Sequence, residues 1–245
     1  MQSRTSNRRP AAGFTLVELL VAITIMALLA LLSWRGLDGM ARAQEQTRTR
    51  ADDVLALQAG LSQWGADLDA VAQFPRTLAM DWDGRALRIT RRGTAGPGDG
   101  MRVVAWSRRT LADGAQWWLR WESAPLVTRA QWQQAWDQAA QWAQNPGDDL
   151  RQREVAVAPA GDWQIFYYRN NAWTNPLSSA AGSVPADPAA AGSTPPPAAA
   201  PAAAVTVPAL PDGVRLVLSL SPGRAISGTL VRDWVNPAIG GGKAS

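Results

Sequence analysis

A run of 21 residues, Phe14 to Trp34, carries a single charge, Glu18, and it constrains the chain more than any other feature. At about 1.5 Å per residue, a helix of that length spans a hydrocarbon core about 30 Å thick. Arg4, Arg8 and Arg9 precede the run with no acidic residue among them, so the positive-inside rule predicts a cytoplasmic N-terminus and an exported remainder. A cleavable secretory signal has a shorter apolar core, with its small-residue cleavage site behind that core. Here the small residue, Gly13, stands in front of it. An ordinary signal-anchor helix preceded by a chance Gly-Phe-Thr is the plainer alternative.

Beyond the membrane run, an apolar stripe continues at helical spacing: Val54, Leu57, Leu61, Trp64, Leu68 and Val71 follow at steps of three and four. Such spacing also suits a coiled coil, but the stripe covers under three heptads, which favours a stem packed on the protein's own sheet. Arg48, Arg50, Asp52, Asp53, Gln58, Gln63 and Asp67 lie around it and are expected to face water or partners. Gly36 and Gly39 are weak breakers, and Phe74-Pro75-Arg76 ends the helical pattern.

Strands and turns follow. Residues 85–91 read as a strand with imperfect alternation, and Gly93 to Gly100 as a loop. Residues 101–107 and 116–122 read as a hairpin closed by Ala112-Asp113-Gly114. Thr128 is placed to cap a helix over Gln131 to Gln144 that stops at Asn145-Pro146-Gly147. Residues 154–158 and 162–169 suggest two strands turned by Pro159-Ala160-Gly161, and Asn170-Asn171 turns the chain toward Trp173. From Ser178 to about Val207 the composition collapses to Ala, Pro, Gly and Ser with one charge, Asp187, which predicts a mobile linker. Leu210 to Leu220 and Ala225 to Trp234 supply closing strands around Ser221-Pro222-Gly223, and the glycine-rich tail from Gly240 is expected to fray.

Composition narrows the chemistry. Cysteine and histidine are both absent, which excludes Ser-His-Asp and Cys-His nucleophile systems and any zinc site built on His or Cys. An exported domain must also stand without disulfides. The chain has 24 basic and 20 acidic residues, but without Arg4, Arg8 and Arg9 the balance is 21 to 20, so no nucleic-acid partner is expected. Asp81, Asp83, Asp148 and Asp149 lack an acid-dense calcium-loop pattern, and no carboxylate pair is marked by motif for catalysis. No catalytic residue, metal or cofactor is therefore predicted. The 13 tryptophans divide into expected core residues (Trp106, Trp118 and Trp163), an interfacial Trp34, and two interface candidates, the Trp117/Trp121 face and the helix carrying Trp132 to Trp142.

Gly13-Phe14-Thr15-Leu16-Val17-Glu18 and the apolar residues after it resemble the leader of type IV prepilin-like proteins. The resemblance implies that a prepilin peptidase cuts after Gly13 on the cytoplasmic face and N-methylates Phe14. Glu18 then becomes the fifth mature residue. A carboxylate in a membrane helix costs roughly 2.5–3.5 kcal/mol, so it should find a partner. The α-amino group of Phe14, its own or a neighbour's, is the available cation, which points to a role in assembly. Within the family the sequence is most similar to J-type minor pseudopilins of type II secretion. The supporting stretches are Trp34-Arg35-Gly36-Leu37-Asp38, Leu61 to Val71 with Trp64 and Asp67-Leu68, Leu210-Pro211 with Val214 to Leu218, and Leu230-Val231-Arg232. The Ala/Pro tract departs from the family, whose connection there is shorter.

The expected fold is α+β: a long N-terminal helix, transmembrane then amphipathic, packed on a mostly antiparallel β head. The expected layout is a cytoplasmic leader at 1–13, a membrane segment at 14–34, a periplasmic stem at 35–74, a β-rich head at 75–177, a linker at 178–207, and closing strands and tail at 208–245. The resemblance implies a non-enzymatic subunit of the pseudopilus, in its tip complex. It would sit in the inner membrane with its head in the periplasm. Its partners would be I-type, K-type and H-type minor pseudopilins, the major pseudopilin and the prepilin peptidase, with a stem face at Val54, Leu57, Leu61, Trp64 and Leu68 for contact. A minor pilin of a type IV pilus or DNA-uptake system is the nearest alternative. A membrane-anchored glycan-binding module is the alternative of another class.

Overall fold

The computed structural model describes residues 13–93, 100–179 and 209–238. Residues 1–12 of the expected leader, most of the Gly93 to Gly100 loop, most of the 178–207 tract and the tail from Gly240 lie outside the described residues. The chain divides into two compact units, Met1–Ala51 and Asp52–Ser245. The first contributes helix α1 from its start; α1 runs over Leu16–Asp69 without interruption at Gly36 or Gly39. It ends earlier than the sequence pattern suggests. Val71 leaves the helix to form a bridge with Arg91, and the amide of Ala72 donates to the carbonyl of Thr90 at 2.9 Å.

The second unit is built on one antiparallel sheet of eight strands. Strands β1 (Met80–Trp82), β2 (Ala86–Arg92), β3 (Met101–Thr110) and β4 (Gln116–Glu122) form a meander. The β3–β4 hairpin turns where expected: Gly114 holds φ +76°, a value that residues with a Cβ rarely adopt. Helix α2 (Arg129–Gln144) starts at a reciprocal cap, in which the Thr128 hydroxyl accepts from the Gln131 amide and the Gln131 side chain accepts from the amide of Thr128. A short α3 (Asp148–Arg151) leads into β5 (Glu154–Arg169). Asn170 and Asn171, both at positive φ, turn the chain into β6 (Ala172–Thr174), followed by α4 (Pro176–Ser179). Strands β7 (Gly213–Leu220) and β8 (Gly228–Val235) close the sheet.

Strand β5 corrects the sequence reading. Pro159-Ala160-Gly161 is no turn, because residues 154–169 form one strand of 16 residues. Its first half pairs with β4 and its second half with β7, and the register slips once along each partner. Pro and Gly punctuate bulges as well as turns. Pro159, which has no amide hydrogen, sits where the strand changes neighbour.

Two apolar cores result. One lies between the last turns of α1 and one sheet face, gathering Trp64, Leu68, Leu87, Trp106, Trp118, Ile165, Leu216 and Leu218. The other lies between α2 and the opposite face, with Ala105, Leu119, Trp121, Trp132, Trp136 and Trp142. Gly60 sets the first spacing: a Cβ there would meet Val157 Cγ1 at 2.0 Å.

Candidate functional site

The N-terminal segment is simple in geometry. Gly13, Phe14 and Thr15 precede the helix, and Phe14 is 88% exposed. Among the described residues, its chain neighbours aside, no atom lies within 4 Å of where a Gly13 Cβ would stand. Thr15 and Glu18 close on each other. The Glu18 carboxylate accepts from the Thr15 amide at 3.1 Å and from its hydroxyl at 3.0 Å, while the Glu18 amide donates to Thr15 Oγ1 at 3.3 Å. Glu18 is therefore the third-position partner of a capping box, satisfying amides at the positive end of the helix. The Thr-x-x-Glu spacing is the sequence signal of that box. The helix is apolar enough to cross a membrane by length and composition, with a mean hydropathy of 2.6 over its best window.

The stem residues named as a partner surface have another occupation. Leu57, Trp64 and Leu68 are buried in the core of the head, Leu61 packs against it, and Val54 is half-buried. Three of the five side chains thus offer no surface to a partner. The stripe's periodicity is that of a helix laid on its own sheet.

Asp67 departs further from expectation. Expected to face water or partners, it is fully buried and accepts five hydrogen bonds among the described residues. Gln63 Nε2 donates at 2.9 Å, Trp106 Nε1 at 2.9 Å, Arg120 at 2.7 and 2.9 Å, and Arg91 Nη1 completes the set. Arg120 also reaches Glu122 at 2.7 Å, and Glu122 reaches Arg102 at 3.0 Å. Burial alone would lower the Arg120 pKa; the hydrogen bond and charge of Asp67, joined by Glu122, outweigh it and raise the value. A buried carboxylate between two guanidiniums joins the helix to β2 and β4, and its loss would take from both cations the carboxylate they share. The three-residue step from Trp64 to Asp67 places both on one helix face, which is the signal that could have found it.

A second hub lies under α2. Glu154 accepts from Arg109 at 2.6 Å and from Trp142 Nε1 at 2.7 Å, and Arg109 donates to the Trp142 carbonyl at 3.1 Å. The interface reading of these tryptophans is corrected accordingly. Trp121, Trp132, Trp136 and Trp142 fill the second core, and only Trp117 of that group stays half-exposed. Trp106, Trp118 and Trp163 are buried, as expected. Asp81 pairs with Arg88, while Asp83 accepts from the amides of Arg85 and Ala86 at 2.9 and 2.7 Å, holding the β1–β2 turn. Asp148 and Asp149 begin α3.

Comparison with known proteins adds to this geometry. A profile for the prokaryotic N-terminal methylation motif matches residues 8–34, the segment with Gly13, Phe14 and Glu18. Over 100 residues the chain is 35% identical to type II secretion system protein J of Klebsiella pneumoniae. That match takes in 41% of this chain and 47% of the relative, so the chain spans about half the length of the curated relative it matches. The motif and the relative together support a J-type pseudopilin.

Proposed function

We propose that this chain is a minor pseudopilin, a structural subunit of the type II secretion pseudopilus that works in its tip complex to support export of folded proteins across the outer membrane. The observation that carries the reading is Gly13 standing in front of the apolar helix, within the matched methylation motif. In this reading a prepilin peptidase cuts after Gly13 and methylates Phe14. The chain is anchored in the inner membrane, with its N-terminus held cytoplasmic by Arg4, Arg8 and Arg9 and its head in the periplasm. N-terminal sequencing of the mature protein tests processing: the expected first residue is methylated Phe14. A start at Met1, or beyond Trp34, removes the assignment.

Glu18 serves assembly as well as the helix cap. Its carboxylate is tied to Thr15, one residue from the amine that cleavage would create, and can receive a neighbour's Phe14 ammonium. Two variants separate the roles. Glu18→Gln keeps an acceptor for the cap and removes the charge, whereas Glu18→Val removes both. Both should insert in the membrane, and both should fail to enter pseudopili. If Glu18→Gln assembles and supports secretion normally, the charge has no part in assembly.

The tip role rests on the J-type likeness. Its proposed partners are I-type, K-type and H-type minor pseudopilins and the major pseudopilin. Co-purification of the detergent-solubilised full chain with an I-type partner should give a complex of fixed stoichiometry by light scattering. Homopolymers of this chain alone would argue for a major, lattice-forming subunit instead.

A further inference from the structure

At one end of the sheet, beside the C-terminal turn of α2, the β1–β2 turn and the start of β4 enclose a pocket of about 340 Å³. Arg85, Arg108 and Arg109 line it, together with Thr110, Gln116 and Trp163. The three guanidiniums differ in what they already hold. Arg109 is matched by Glu154 at 2.6 Å. Arg108 donates from Nη1 to a neutral acceptor, the Gly161 carbonyl, at 2.6 Å, and its Nε is buried with no acceptor among the described residues. Arg85 is exposed and makes no ion pair among the described residues. Against these stands one lining carboxylate, Asp162, which is exposed.

We propose that this pocket is an oxyanion-binding site, in which Arg85 and Arg108 receive a carboxylate or phosphate group. A guanidinium offers planar paired donors that suit both anions. The site is built in advance. Gly84 holds φ +87° and Asp83 Oδ1 accepts from the Arg85 amide at 2.9 Å, fixing the turn that presents Arg85. The β5 bulge presents the Gly161 carbonyl that anchors Arg108. Arg108, already anchored on Gly161, loses little freedom on binding. The inference stands apart from the pseudopilin reading, since it uses neither the membrane segment nor any partner subunit.

Titration calorimetry on the full chain in neutral detergent tests it, using inorganic phosphate in one arm and acetate in the other at constant ionic strength. A saturable heat is expected in at least one arm, and which arm responds identifies the anion. Arg85→Gln, an exposed substitution, should weaken binding about tenfold or more, as loss of a charged hydrogen-bonding partner does. Its melting temperature in chloride should not change. Arg215→Gln, on β7 away from the pocket, should bind like the parent. No saturable heat with either anion, or equal affinity in Arg85→Gln, overturns the proposal.

Discussion

The sheet has two halves that meet in β5, and they are covered differently. Strands β2 to β4 lie between α1 and α2, so both faces are buried: residues 103–107 of β3 form an unbroken buried run. Strands β7 and β8 bury one face only. Val214, Leu216, Leu218 and Leu220 point into the core, while Arg215, Val217 and Ser219 alternate outward. Across that outer face Val231 is 54% and Val235 is 72% exposed. The covered half also holds the buried Asp67 and Arg91 with the half-buried Arg120, and the half-buried Glu154 with Arg109. A region buried on both sides leaves little water for a polar group, so its charges are met by the protein, while the ring nitrogens of Trp64, Trp118 and Trp121 lie buried with no partner among the described residues. In the open half the Arg215–Asp233 pair, at 2.7 Å, stays partly solvated.

The largest break should come at Asp67. Asp67→Ala leaves Arg91 and Arg120 buried without their shared carboxylate, which should cost about 3–5 kcal/mol. Denaturant unfolding of the full chain in detergent reads the loss. A change below about 1 kcal/mol would show that the covered half does not depend on this hub. Next, Trp142→Ala empties the second core and removes a donor from Glu154, for about 3–5 kcal/mol. Val231→Ser on the open face should stay within about 0.5 kcal/mol by the same assay. Equal losses would mean that the outer face of β7 and β8 is covered after all.

Tyr167 sharpens the contrast on the α1 side of the open half. Its hydroxyl is buried with no partner among the described residues, and burial, aided by the charge of Asp81, pushes the phenol well above its usual range against the opposing Arg169. A raised folded value means the contribution is complete below the ordinary phenol value of about 10 and is lost as pH rises beyond it. Tyr167→Phe should therefore match or exceed the parent by up to about 1 kcal/mol at neutral pH, and lose less stability between about pH 9 and 11. The smallest effect is at Asp233. The hydrogen bond from Arg215, with its charge, holds the carboxyl below the usual range despite some burial. The stability this gives is present above about pH 4 and is lost as pH falls through the lowered value. Carboxyl NMR titration should show Arg215→Gln returning Asp233 toward the ordinary value.

Legibility followed this division. The alternation in β7, the β3–β4 turn and the Thr128 cap were readable, since each depends on neighbours in sequence and on one buried face. The alternation in β2 was imperfect because both of its faces are covered, and a doubly buried strand has no solvent side to mark. Strand β1 has three residues, too few to carry a period. At the N-terminus the sequence drew attention to Gly13, Phe14 and Glu18, but not to the bond between Glu18 and Thr15.

The sequence by itself determined what is local: an apolar helix opened by Gly13, an amphipathic continuation with one stripe, the α+β class, and the absence of His and Cys chemistry. Tertiary structure alone decided which partners met. Asp67 lies 24 residues from Arg91 and 53 from Arg120, and Arg108 lies 53 from Gly161. No periodicity spans such separations. It is the closing of the sheet, with β5 bent at its bulges and helices laid on it, that brings those groups within hydrogen-bond reach, where loss of water makes each contact obligatory.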